Sequence, residues 1–216
     1  MKTYKQTVNN ILIRLREREV GSINENSYSK LIGLLVHDAV EMVESAWNWS
    51  SLRETLTVST QADVFNYALT DFGDKSVVLE VINNTSNNFL TYRTAHWFNK
   101  TFLFAGPHTG SPLHYSFNGI NTSGDTQVDV YPKPDGVYQL LFNVIKRSPD
   151  IADDDDTLKV PFLPVQALAY AMALEERGED GGMSAVSAKS LASVYLSDAI
   201  AIDAAKHPEE LIWEAP

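Results

Sequence analysis

The sequence predicts an α+β protein: a helical domain built from N- and C-terminal helices, with an inserted antiparallel β-sandwich or barrel-like domain. Three observations lead there. Apolar residues recur at helical spacing through the first fifty positions. Short runs of strand formers, separated by Gly, Asn, Asp and Pro, fill the next hundred. Helical spacing then returns after Pro164. The expected boundaries are 1–51 with 158–216 for the helical domain, 52–157 for the β-rich insert, and 207–216 for a C-terminal tail.

Tyr4, Val8, Ile11, Leu12 and Leu15 line one face of a short amphipathic helix over 3–18. After the loop Gly21-Ser-Ile-Asn-Glu-Asn26, Ser27 or Ser29 is expected to cap a second helix. Its stripe runs Tyr28, Ile32, Leu35, Val36, Ala39, Val40, Val43 and Trp47. Trp47 and Trp49, where the pattern changes, are expected to plug the joint between the two domains, since an aromatic with one polar tip suits such a seam.

Strands are expected at 54–59, 64–69, 76–82, 90–93, 100–105, 114–117, 127–131 and 137–146. The turn Pro132-Lys-Pro-Asp-Gly136 combines a preset φ with a permissive last position, so it predicts a hairpin joining 126–131 to 137–147. An acidic link, 148–157, leads through Val160-Pro161 into a helix over 165–176 whose face is Leu168, Ala169, Met172 and Ala173. Gly178 ends it. Ser184 opens an Ala-rich helix with the stripe Leu191, Tyr195, Ala199 and Ile202, stopped at His207-Pro208. The simplest arrangement packs the first and last helical segments on one another, with the β-rich middle projecting from them.

Composition narrows the function classes. The chain of 216 residues can bury a sizeable core. It has no cysteine, which excludes disulfides, Cys-ligated metals and thiol catalysis. No run of 18 apolar residues occurs and the first twenty residues lack an apolar core, so neither a membrane partner nor a secretory leader is expected. The net charge of −11 is uneven: residues 1–20 hold five basic and two acidic groups, residues 150–216 four basic and fourteen acidic. Such a surface repels a phosphate backbone.

No residue pattern carries a reaction. His37 and Glu41 are four apart on a polar helix face, which makes an exposed pair and leaves a metal one ligand short. His96, His108 and His114 are spaced twelve and six apart, unlike any zinc signature. Asp153-Asp-Asp-Asp156 lacks the Gly and the twelfth-position Glu of a calcium loop, and reads as a spacer whose charge favours the following helix N-terminus. Nucleophile-elbow, P-loop and zinc-protease motifs are missing, and paired carboxylates of a hydrolase find no positive support. The expectation is no enzyme, no cofactor and no metal. Trp97, Tyr92 and Tyr115 are the residues that would serve a carbohydrate-binding module instead.

The run Tyr131-Pro-Lys-Pro134-Asp-Gly136-Val-Tyr138-Gln-Leu140, then Arg147-Ser-Pro149-Asp, the acidic link, and Val160-Pro161 before an Ala-rich helix resembles head-to-tail adaptor proteins of tailed bacteriophages. The helix ending in Trp47-Asn-Trp49-Ser-Ser-Leu52-Arg53 fits the same likeness. It covers nearly the whole chain as an order of elements, is specific at 36–53 and 129–172, and is nearest to tail tubular protein A, the gatekeeper of short-tailed phages.

The resemblance implies a virion structural protein of the tail or neck, assembled in the host cytoplasm. It implies a homo-oligomeric ring, a dodecamer, between portal protein and tail nozzle protein, through which DNA passes without tight binding. On that reading Tyr4, Ile11, Leu15, Leu191 and Tyr195 form the helical core or the seam between subunits. Leu211, Ile212 and Trp213 form a docking tail, and His108 and His114 a nozzle-facing loop tip. The alternatives are a tail-associated carbohydrate- or protein-binding module, or another connector class such as a head-completion or stopper protein.

Overall fold

A computed structural model describes residues 2–73, 76–102, 106–178 and 183–206. The chain runs α1 (Tyr4–Arg14), α2 (Ser27–Ala46), β1 (Arg53–Ser59), β2 (Asn66–Leu69), β3 (Val77–Asn83), β4 (Asn88–Phe89), β5 (Thr91–Tyr92), α3 (Ala95–Lys100), β6 (His114–Ile120), β7 (Thr126–Tyr131), β8 (Gln139–Ile145), α4 (Phe162–Arg177) and α5 (Met183–Ala204). Short 3-10 turns lie at Ile23–Glu25 and Ser50–Leu52. Contacts divide it into two compact units, Met1–Leu52 with Ser148–Pro216, and Arg53–Arg147. The helices flank a β-rich segment in the chain, as the α+β reading expects. The acidic link, which the sequence reading gave to the β-rich part, belongs with the helices.

The helical unit begins with two well-capped helices. Thr3 Oγ1 accepts the Gln6 amide at 3.2 Å, and Gln6 Oε1 accepts the Thr3 amide at 3.1 Å. Asn26, one residue before Ser27 and three before Ser29, caps α2: its Oδ1 accepts the Ser29 amide at 2.8 Å, and Ser29 Oγ accepts the Asn26 amide at 3.2 Å. The two helices meet where Gly33 removes a side chain. A Cβ there would sit 2.8 Å from Tyr4 Oη and 2.9 Å from Ile23 Cγ2, so only glycine allows the approach.

Helix α4 is the centre of this unit, packing on α1, α2 and α5. Pro164 falls in its first turn, where a missing N–H leaves no bond broken. Gly178 closes it in the left-handed region at φ 63°. The stripe expected for α5 is not the one that packs. Ala185, Ala192 and Asp203 are buried, whereas Leu191, Val194 and Ile202 are exposed. The buried residues of α4 include Ala167, Ala169, Ala171 and Ala173. Small residues are thus among those both helices bury, while Leu191, Val194 and Ile202 of α5 stay exposed. The N- and C-terminal helical segments pack on one another as expected: α1 and α2 both meet α4, and α5 packs on α4 in turn.

The β unit is two four-stranded sheets, ordered β1-β8-β3-β4 and β2-β7-β6-β5. The pairings are antiparallel except for β5 with β6. Inward residues of both sheets share one core: Leu69, Val81, Tyr115, Val128, Val130, Leu140, Phe142 and Val144. The expected hairpin is absent. β7 pairs with β2 and β6, and β8 with β1 and β3, so Pro132–Gly136 carries the chain from one sheet to the other. The strand expected at 100–105 is also corrected. Thr94 Oγ1 accepts the Trp97 amide at 3.3 Å and opens α3, which runs to Lys100, and residues 103–105 lie outside the described residues.

Candidate functional site

The sequence-expected interface residues of α1 lie inside the helical unit. Tyr4, Ile11 and Leu15 are 7%, 0% and 5% exposed and belong to its core. Burial raises the Tyr4 phenol above its ordinary pKa, and the Asp154 carboxylate adds to the shift. On α5, Leu191 is exposed and Tyr195 half-buried, so they do not join that core. Leu211, Ile212 and Trp213 lie outside the described residues.

The acidic link has a role the sequence reading missed. The first amides of α1 have no intrahelical partners. Asp156 O accepts the Tyr4 amide at 2.8 Å, Asp154 O accepts the Lys5 amide at 3.1 Å, and Thr3 pairs with Thr157 as an isolated bridge. Asp154 Oδ1 also accepts the Ile23 amide at 3.0 Å. Asp156 Oδ2 accepts the amides of Ala152 and Asp153 at 2.9 and 2.8 Å. These bonds hold both carboxyls below their ordinary pKa: for Asp154 the Ile23 amide leads, for Asp156 the Asp153 and Ala152 amides. The link is therefore a cap on α1, 150 residues away in sequence, and not a spacer ahead of α4. Its signal, four consecutive acids, is the same for both roles.

Trp47 and Trp49 differ in their surroundings. Trp47 is the C-cap of α2 and is 39% exposed. Trp49 is fully buried, and its Nε1 donates to Val43 O at 2.7 Å, which seals the end of α2 within the helical unit. Next to it, the Ser50 amide and hydroxyl donate to Asp203 Oδ2 and Oδ1 at 2.9 and 2.6 Å. Burial pushes this carboxyl up, but the Ser50 bonds and Lys206 Nζ at 3.1 Å outweigh it and hold the pKa down at about 2. The end of α5 is thereby tied to the turn just before β1.

The histidines are separated by the fold. His37 Nε2 lies 3.6 Å from Asp150 Oδ1, on the acidic link. His108 is exposed and its carbonyl accepts the Lys133 amide at 2.9 Å. His114 is not at a loop tip. It opens β6, half-buried, with its ring edge-on to Trp97 at 5.0 Å. Burial lowers its pKa, Arg93 lowers it further, and a hydrogen bond with the Thr91 backbone opposes them. Among the described residues no group of three or more His, Asp or Glu has metal-holding geometry.

The aromatic trio suited to a sugar does not form one open platform. Tyr115 is 8% exposed and part of the β core. Tyr92 is exposed but meets Tyr115 edge-on at 5.6 Å. Trp97 packs edge-on to Tyr131 at 5.5 Å, with the Arg93 guanidinium 5.6 Å above its ring.

What remains open is the outward side of α5. Met183, Val186, Val194 and Ile202 are 77%, 66%, 54% and 65% exposed. By length and mean hydropathy this helix could cross a membrane, with 11% of its most apolar window buried. Five serines and two aspartates along it suit packing against protein better than immersion in lipid. Its exposed apolar side chains, interspersed with serines, suit cover by protein.

No curated protein matches the chain. The family model described as SU10 adaptor protein matches residues 2–207, nearly the whole sequence, and the chain belongs to that family of bacteriophage structural adaptor proteins.

Proposed function

We propose that this protein is the head-to-tail connector of its phage: a ring of copies between portal and tail nozzle, through which the genome passes. The observation that carries this reading is the set of exposed apolar side chains on α5, Met183, Val186, Val194 and Ile202, on an adaptor-family chain. Heterologous contacts around a closed ring bury such a face on every copy at once. A net charge of −11 suits a conduit, since a wall that gripped phosphates would stall the passing DNA. Leu211, Ile212 and Trp213 order against the portal or a neighbouring copy, apolar groups of the kind that anchor interfaces. His108 is the part of the expected loop tip available to a nozzle.

Mass photometry of the chain with and without portal protein from the same phage tests the reading. A portal-dependent species carrying many copies supports it, and a chain that stays monomeric beside free portal overturns it. Deleting residues 208–216 should weaken portal binding while circular dichroism stays unchanged. Binding equal to that of the full chain would remove the tail from the account.

A further inference from the structure

At the end of the helical unit where α1 stops, α4 and α5 enclose an open groove of about 450 Å³. Tyr170 and Leu174 of α4 and Met183, Ala188 and Leu191 of α5 are its apolar lining. Arg14, the last residue of α1, supplies the charge. Its guanidinium lies 5.7 Å over the Tyr170 ring and makes no ion pair among the described residues. A cavity of roughly 300–1,000 Å³ holds a compact organic group, so this one has room for an indole with an aliphatic side chain beside it.

We propose that the groove receives residues 209–214 of a neighbouring copy of this chain, with Trp213 seated between α4 and α5 and the flanking carboxylates on Arg14. This rests on the ring proposed above and names one contact that would close it. The chemistry of the segment, which lies outside the described residues, matches the groove: Glu209-Glu-Leu-Ile-Trp213-Glu214 sets three apolar side chains between carboxylates. A tryptophan in a concave site is a common anchor of an interface. Glu210 and Glu214 on either side of it answer Arg14. Arg16 and Arg18 follow Arg14 and are exposed, while Glu17 between them is already held by Arg177 at 2.7 Å. Glu175, next to Leu174 of the groove wall, is likewise held by Lys189 at 2.6 Å.

Reach decides which copy supplies the segment. Lys206 closes the last turn of α5, its amide donating to Asp203 O at 3.1 Å. Ser187, midway along the groove wall, lies about 28 Å back along the helix at 1.5 Å per residue. The stretch from Lys206 to Trp213 spans at most about 25 Å when fully extended. A tail folded straight back along its own helix therefore stops at the rim, near Leu191. The groove lies at one end of α5 and the segment leaves from the other, so the contact is heterologous and passes from copy to copy, as a closed ring needs. Two chains of net charge −11 repel over most of their surfaces, but here the acids of one meet the arginines of the next.

The chain has no cysteine, so engineered thiols report alone. A Ser187→Cys chain is mixed with an Ala215→Cys chain under mild oxidation, with and without portal protein from the same phage. Position 215 lies just past the anchor and leaves Trp213 intact. The expected product is a mixed dimer severalfold above either homodimer and above a control pair, Thr57→Cys with Ala215→Cys. Trp213→Ala in the Ala215→Cys chain should lower the yield severalfold. Arg14→Glu in the Ser187→Cys chain should do the same, and Glu210→Lys with Glu214→Lys in the other chain should restore it.

Mixed dimers at the control level in both conditions overturn the proposal, as do yields indifferent to both Trp213→Ala and Arg14→Glu. A chain carrying both Ser187→Cys and Ala215→Cys that closes on itself and stays monomeric also overturns it, since the tail would then cover its own groove. Portal-dependent rings that form no 187–215 bond leave the ring standing and remove this contact. A 187–215 bond between copies that never assemble with portal keeps the contact and removes the ring.

Discussion

Replacing Asp203 by alanine removes the acceptor for two Ser50 donors at 2.9 and 2.6 Å and for Lys206 at 3.1 Å, at a side chain 7% exposed. The magnitude follows from the carboxyl's own titration. Its pKa falls from 3.8 to about 2 on folding. That difference corresponds to about 2.4 kcal/mol of stability at neutral pH. A carboxyl depressed in the folded state contributes fully above its unfolded value and loses that contribution as pH falls through the folded one. At pH 3 the same two values leave about 1.3 kcal/mol. The wild-type advantage over Asp203→Ala should therefore be about 2–3 kcal/mol at pH 7, allowing for the Ser50 donors left unpaired, and about half that at pH 3.

Asp203→Asn, which keeps one acceptor oxygen, should lose less. Urea unfolding followed at 222 nm reads both quantities, since the helices dominate that signal. A loss below about 0.5 kcal/mol at pH 7, or one that does not change with pH, refutes the reasoning.

Other perturbations test other parts. Gly33→Ala should destabilise by about 1–2 kcal/mol although alanine favours helices, because its Cβ meets Tyr4 Oη and Ile23 Cγ2 below 3 Å; the urea midpoint reads it, and an unchanged or raised midpoint contradicts the close approach. Phe142→Ala, in the shared core of the two sheets, should cost about 3–5 kcal/mol, measured by chemical denaturation. His114 should titrate below 6.5 by NMR, and Arg93→Ala should move it up, since that guanidinium disfavours the imidazolium. An unmoved titration would show that the two do not interact.

Much of the helical unit was legible because its signals are local. The stripe Val8, Ile11, Leu12 and the run Ile32, Val36, Val40, Val43 mark the faces that are buried. The strands of β7 and β8 were legible as strands, but not as partners. Pro132–Gly136 has the same chemistry whether it closes a hairpin or turns a corner between sheets, and the choice is made by β2, β6, β1 and β3. The helix α3 has only Thr94 as a cap to signal it, and six residues are too few to show a helical stripe, so the sequence reading places 94–99 in a loop between two strands.

The inversion of α5 was not legible, because periodicity weighs large side chains while the residues this helix buries are Ala185, Ala192 and Asp203. Among the interface candidates, Tyr4, Ile11 and Leu15 were readable as buried, whereas the link at 148–157 acts through backbone carbonyls, which sequence does not display.

The central claim is assembly, and negative-stain microscopy of the chain mixed with portal from the same phage tests it most directly. The account predicts class averages with an added ring on one face of the portal, open at its centre. Bare portal beside free monomer, at concentrations where the family's fold is intact by circular dichroism, would contradict it.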